Sequence, residues 1–352
     1  MFLFLITSSR LLMSISPDSD VRLDSIIRWL DTLSAFGIDS KSIRPASADA
    51  SFRRYFRVDG EKGSYIVMDA PPEKENTQAF IHASRIFGES GVCVPEVFEK
   101  NEEAGFLLLT DLGSTTYLQK ISEDNAFAMY MDAINALIRL QMPSMPGVFP
   151  EYDRELLLNE LKLFPEWYVA KHLNVVLTDK QAAALDSMFD LILANNLSQP
   201  QVYVHRDYHS RNLMVLENNN PGILDFQDAV YGPVTYDLVS LLRDAYIAWD
   251  EEQVLDWMVR YWERARRAGL PVNPDIDMFY RDFEFMGLQR HLKVLGIFAR
   301  LFHRDGKDAY LADLPLVMEY TYRTAARYPE LSPLVRLLES LLQVEVQVGY
   351  TF

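Results

Sequence analysis

Asp207, Asn212 and Asp225 are the residues of this chain best suited by type and spacing to do chemistry. The first two stand in His205-Arg206-Asp207-Tyr208-His209-Ser210-Arg211-Asn212, the third in Ile223-Leu224-Asp225-Phe226-Gln227-Asp228. Metal-assisted phosphoryl transfer needs such a set. An aspartate orients a hydroxyl and takes its proton late, while an amide and a second carboxylate hold Mg2+ against the phosphates of ATP. Asp207 is therefore the candidate base, and Asn212 and Asp225 are the candidate metal ligands. Arg211 lies between base and ligand, where a cation stabilises charge developing on the transferring group. The plainer reading of the same stretch is a polar turn between two strands.

The flanks supply the elements that such a loop requires. Val202-Tyr203-Val204 and Leu213-Met214-Val215 read as strands on either side of it, and Gly222-Ile223-Leu224 as the buried strand leading to Asp225. Upstream, Asp20 caps a helix carrying Leu23, Ile26, Ile27, Leu30 and Leu33 on one face and stopping at Gly37. Phe52–Val58 and Ser64–Ala70 form a hairpin, a helix follows over Thr77–Glu89, and Val94–Glu99 with Phe106–Thr110 make a second hairpin. Beyond Asp111-Leu112-Gly113 helical periodicity dominates, over Glu123–Leu140, Arg154–Leu173 and Asp179–Asn195. After the two chemical strands, helices are expected over Asp237–Trp249, Glu251–Ala268, Ile276–Phe302 and Asp308–Arg327. The expected class is α+β and bilobal: an extension over 1–19, a nucleotide-binding lobe with an antiparallel sheet over 20–112, and a larger helical lobe over 113–345 carrying the catalytic and metal loops and the acceptor site.

With 352 residues the chain is long enough for two such lobes. A net charge of −16 repels nucleic acid and anionic lipid, so neither is an expected partner, and an anionic substrate must meet a local basic patch. Cys93 is the only cysteine, which removes internal disulfides and cysteine metal sites and fits a cytoplasmic protein. The apolar start Met1–Ile6 has no basic residues before it and is broken by Arg10, unlike a signal peptide. The oligomeric state is not legible.

Other residues carry two readings each. Asp237 can accept hydrogen bonds from the catalytic loop or cap its own helix. Asp228 can face the acceptor or stabilise a turn. Arg290 and Lys293, three apart on one helix face in a run continuing to Arg300 and Arg304, can bind an anionic sugar or complement a helix dipole.

The spacing His-x-Asp-x4-Asn followed by an apolar strand ending in Asp resembles the aminoglycoside-phosphotransferase-like kinases, relatives of the protein kinases. The resemblance runs over about Ser40–Tyr328. Three stretches bring it closer to the bacterial anomeric kinases of N-acetylmuramate and N-acetylglucosamine used in cell-wall recycling. They are Asp49-Ala50-Ser51-Phe52-Arg53-Arg54-Tyr55-Phe56-Arg57-Val58, Ile66-Val67-Met68-Asp69-Ala70-Pro71-Pro72 and Leu288-Gln289-Arg290-His291-Leu292-Lys293. The resemblance implies Asp207 as base, Asn212 and Asp225 on Mg2+, and Asp111 and Leu112 in a hinge beside the adenine of ATP. It departs from the protein kinases at Met68, where their third-strand lysine falls, and at His82, near the position of the partner glutamate. Arg53 or Arg54 is the expected substitute cation for the phosphates. The expected activity is transfer of the γ-phosphoryl group to a small amino sugar. Another small acceptor (an aminoglycoside, choline or an amino acid) and a non-catalytic nucleotide-binding module are the alternatives.

Overall fold

The computed structural model describes residues 20–47 and 52–348; the expected extension over 1–19 and most of the run Asp49–Phe52 lie outside them. The chain divides into two compact units, one built from the residues up to Glu75 with Phe98–Asp111, the other from Asn76–Val97 with the residues from Leu112 onward.

In the first unit Asp20 caps helix α1 (Val21–Leu30) by accepting from the Leu23 N–H. The sheet holds β1 (Asp39–Ser47), β2 (Arg54–Gly60), β3 (Gly63–Asp69), β4 (Val97–Asn101) and β5 (Phe106–Thr110) in the order β1-β2-β3-β5-β4. The β2–β3 hairpin pairs Gly60 with Gly63 at its turn and Arg54 with Asp69 at its open end. Alternation sends Phe56, Val58, Tyr65, Val67, Phe106 and Leu108 to one face, where they bury Ile26 and Leu30 of α1. Gly105, at φ 75°, is required at the β4–β5 turn because a Cβ there would come within 1.9 Å of the Ala70 carbonyl oxygen.

The second unit begins with α2 (Thr77–Glu89), which the sequence expectation assigns to the small lobe. Phe80 and Phe87 on it pack against Phe226. There follow α3 (Tyr117–Lys120), α4 (Ala126–Gln141), α5 (Arg154–Leu163) and α6 (Asp179–Ser198). The strand pairs β6 (Gln201–Val204) with β9 (Val230–Pro233), and β7 (Leu213–Met214) with β8 (Gly222–Ile223), are both antiparallel. Helices α7 (Tyr236–Leu242), α8 (Glu251–Ala268), α9 (Ile276–Asp305), α10 (Leu314–Ala326) and α11 (Ser332–Val348) complete it.

Helix α9 is the centre of this unit. Every residue from Asp282 to Gly296 is buried, as in a helix surrounded by others. Gly296 permits its approach to α5, since a Cβ there would lie 2.3 Å from the Leu163 carbonyl carbon. Three expected helices are shorter than their periodicity. The one from Arg154 turns to π-type bonding over Phe164–His172, where Pro165 lacks an N–H. The one expected to reach Trp249 ends at Arg243, whose backbone leaves helical geometry. The one expected from Asp308 is a 3-10 turn, Asp308–Asp313, before α10 opens with a proline in its first turn.

Candidate active site

The loop carrying Asp207 leaves β6 through a backbone that needs outside support. Arg206 adopts φ 77°, a left-handed conformation uncommon for a residue with a Cβ. Asp237, fully buried at the start of α7, holds it there: one carboxylate oxygen accepts the His205 N–H at 2.6 Å and the other the Arg206 N–H at 3.0 Å. Of the two readings of Asp237, the hydrogen bonds favour the one to the loop of Asp207, and no side-chain cap bond is made at the start of α7. Burial pushes its carboxyl up to about 7, although both N–H groups favour the ionised form. His205 ties the two chemical strands together. Its Nδ1 accepts the Asp207 N–H at 3.2 Å and its Nε2 donates to the Leu224 carbonyl at 3.0 Å. Burial lowers its pKa to about 4, so the ring is neutral and fixed in one tautomer.

Beyond Asp207 the loop closes on itself. The Asn212 amide donates to the Asp207 carbonyl at 3.0 Å, and the Asn212 carbonyl accepts the Leu224 N–H at 2.9 Å. Asn212 and Asp225 are thus neighbours, their side chains 3.5 Å apart. Asp225 also sits at a positive φ of 65°, and Gln227 donates to its other carboxylate oxygen at 2.9 Å. The free amide oxygen of Asn212 with the Asp225 carboxylate is a hard-oxygen donor pair. It suits Mg2+, which takes one or two protein ligands and completes its shell with phosphates and water.

Asp207 itself is half-buried and lines a cavity of about 130 Å³ whose wall also includes His209, Tyr236, Tyr246, Arg290 and Lys293. Burial alone would raise its carboxyl. The surrounding positive charges, Lys293 foremost with Arg206 and Arg290 among them, hold it below the ordinary carboxylate range instead, so it is ionised and able to accept a proton. Glu160 on α5, buried, holds two of these cations: Arg206 donates to it at 2.5 Å and Lys293 pairs with it at 3.1 Å, while Tyr152 donates from its hydroxyl. Lys293 donates a further bond to the Tyr236 hydroxyl at 3.0 Å. Arg290 and Lys293 lie in the middle of α9 rather than its last turns, so the helix-dipole account does not apply to them. Arg211 is exposed and stacks on Tyr246, its guanidinium carbon 3.6 Å from the ring centroid. Asp228 is exposed and outside the cavity wall; its carboxylate accepts from Gln227 at 3.3 Å and its carbonyl from Arg206 at 3.4 Å.

The residues expected at the nucleotide are placed as follows. Arg54 is committed to carboxylates: it donates to the fully buried Asp69 at 2.6 and 2.9 Å and pairs with Asp20, while Arg22 reaches the other oxygen of Asp69 at 2.5 Å. Arg53 is half-buried at the start of the same hairpin. Asp111 uses its carboxylate on Arg57, at 2.6 and 2.9 Å, and on the Ser64 hydroxyl at 2.6 Å. Leu112 is buried in the second unit, where its Cδ1 would lie 2.9 Å from a Cβ placed on Gly222. Met68 is buried and His82 bonds the Val148 carbonyl at 2.9 Å. Sequence reasoning missed Glu160, His209 and the aromatic wall of Tyr236 and Tyr246. His209 was marked only by lying inside the motif, and Glu160 had no mark at all.

The phosphotransferase enzyme family matches residues 42–270. An N-acetylmuramate/N-acetylglucosamine kinase of Neisseria meningitidis serogroup B is 52% identical over 313 residues, 87% of this chain and 93% of the relative. The protein of that name from Pseudomonas putida is 46% identical over 333 residues, 92% of this chain and 98% of the relative. Among solved structures, a choline kinase of Streptococcus pneumoniae superposes with a TM-score of 0.60 at 11% identity, covering 87% of this chain and 99% of its own. An aminoglycoside phosphotransferase solved with ADP gives 0.55 at 16% identity, covering 85% and 99%. At such identities the likeness concerns the fold.

Proposed function

This chain belongs to the phosphotransferase enzyme family, and from that premise we propose that it is an ATP- and Mg2+-dependent kinase of N-acetylmuramate and N-acetylglucosamine, acting at the anomeric hydroxyl in the cytoplasm. The observation that carries the proposal is a single cavity wall in which an ionised Asp207 stands with the buried cations Arg290 and Lys293. Relatives of that name at 46–52% identity support the choice of acceptor. A cationic acceptor such as choline or an aminoglycoside meets repulsion from Arg290, which has no ion pair among the described residues, and this disfavours it.

The reaction transfers the γ-phosphoryl group of ATP to the C1 oxygen of the sugar, with ADP leaving and the hydroxyl proton passing to Asp207. The anomeric hydroxyl is the most acidic on the ring, which suits a carboxylate base whose pKa lies low. Asp237 and His205 hold that carboxylate in place through the loop backbone. Bound Mg2+ would neutralise charge on the phosphates, with Asn212 and Asp225 as its protein ligands. Arg53, at the start of the β2–β3 hairpin, is our candidate for a phosphate-binding cation. Arg211 stacks on Tyr246 of the cavity wall, which supports a role for its charge near the transferring group.

The test is ATP consumption with Mg2+ over a panel of N-acetylmuramate, N-acetylglucosamine, kanamycin and choline, with Asp207→Asn as the blank. Turnover on the two hexosamines, lost in the variant, is the expected result. Turnover on kanamycin or choline alone would overturn the acceptor, and ATP binding without turnover on any would favour a non-catalytic module.

A further inference from the structure

Lys293 and Arg290 are both buried cations in the cavity wall, but only one of them is already paired. The Lys293 ammonium has Glu160 at 3.1 Å and the Tyr236 hydroxyl at 3.0 Å. Arg290 is 3% exposed and makes no ion pair among the described residues, and its Nη1 is buried with no hydrogen-bond partner. Leaving a guanidinium N–H dry and unbonded costs stability, and proteins rarely tolerate it without a use. Arg290 lines the same cavity as Asp207 and His209.

We propose that Arg290 is the specificity residue for the acidic acceptor, donating to the carboxylate of the lactyl ether that N-acetylmuramate carries on C3 and N-acetylglucosamine lacks. This rests on the acceptor proposed above. With C1 at Asp207, a substituent on C3 reaches a second point of the same wall, and a guanidinium matches a carboxylate in both charge and planar geometry. Lys293 has no part in reading the acid: its charge balances Glu160. The uncharged sugar binds without engaging Arg290, so discrimination resides in one side chain.

The experiment compares kcat/KM for N-acetylmuramate, its methyl ester and N-acetylglucosamine on the wild type and on Arg290→Gln. Removing one partner of a charge-assisted hydrogen bond should cost N-acetylmuramate about 10- to 100-fold. Loss of a charge near Asp207 lowers both sugars in common, so the ratio is the readout: N-acetylmuramate should lose at least about 10-fold more than N-acetylglucosamine, and a wild-type melting temperature shows that the variant folds. The methyl ester tests the same contact with the protein intact, and should react with the wild type at the level that N-acetylmuramate shows with Arg290→Gln. Equal losses on both sugars would overturn the proposal and move Arg290 to the transferring phosphoryl group; so would an ester as good as the acid. Wild-type inactivity on both sugars would instead refute the acceptor, and this inference with it.

Discussion

Glu160→Gln removes a charge that no motif marks, and its cost can be worked from the contacts. Glu160 is 5% exposed and accepts from Arg206, Lys293 and Tyr152. Both cations meet the same oxygen, Oε1, and Tyr152 the other, so Gln can keep its oxygen for the cations and turn its N–H to the Tyr152 hydroxyl, but it loses the charge that balances them. Breaking a buried ion pair by removing one partner costs about 3–5 kcal/mol. Arg206 and Lys293 keep 19% and 9% side-chain exposure, and one oxygen is retained, so the lower end, about 3 kcal/mol, is expected. Urea unfolding monitored by circular dichroism reads this directly. Burial pushes the Glu160 carboxyl up, but Lys293 and Arg206 outweigh it and hold the group below its ordinary value of 4.5. A depressed carboxylate gives stability that is complete above its unfolded pKa and lost as pH falls through the folded one. The gap between wild type and variant should therefore be flat from pH 8 to about 5 and narrow only in more acid solution. A gap below about 1 kcal/mol at neutral pH, or one already shrinking at pH 6, would refute the assignment of Glu160 as the anchor of both cations.

Asp207→Asn should lower kcat by about 10²- to 10⁴-fold with the KM for ATP nearly unchanged, because it removes the proton acceptor and not the nucleotide site; steady-state kinetics on N-acetylglucosamine checks it. Asn212→Ala and Asp225→Asn should raise the Mg2+ concentration needed for half-maximal rate, and EDTA should abolish wild-type turnover until Mg2+ is restored. Arg54→Ala should destabilise the protein by about 1–3 kcal/mol by leaving the buried Asp69 with Arg22 alone, without raising the KM for ATP. Arg53→Ala should raise that KM; wild-type values in both variants would remove this pair as the source of the phosphate-binding cation.

The loop that brings Asp207, Asn212 and Asp225 together was legible because these candidates are close in sequence and flanked by apolar strands. The β2–β3 hairpin was legible from alternation and the glycines at its turn. Strand β1 was not, since Asp39-Ser40-Lys41-Ser42-Ile43-Arg44-Pro45 is polar and holds a proline, which an edge strand with irregular pairing tolerates. Helix α9 was placed to within three residues at its end, and Arg290 and Lys293 were read as an anionic-sugar site or a complement to its dipole, but nothing marked Glu284, Gln289, Arg290, His291 and Lys293 as buried. Their burial comes from the helices packed around α9, which no single segment encodes. Arg54 was read as a nucleotide contact because its strand position fits one. Only the register that sets it opposite Asp69 reveals its commitment. Glu160 lies 46 residues from Arg206 on a helix where glutamate is ordinarily a surface residue, so nothing local distinguished it.

The product of the reaction decides the whole reading. After incubation of N-acetylmuramate with ATP and Mg2+, phosphorus and proton NMR of the purified sugar locate the new ester. Phosphate coupled to the H1 proton is the expected result, with the same outcome for N-acetylglucosamine. Phosphate on C6, or unchanged sugar while choline or kanamycin is phosphorylated, would contradict it.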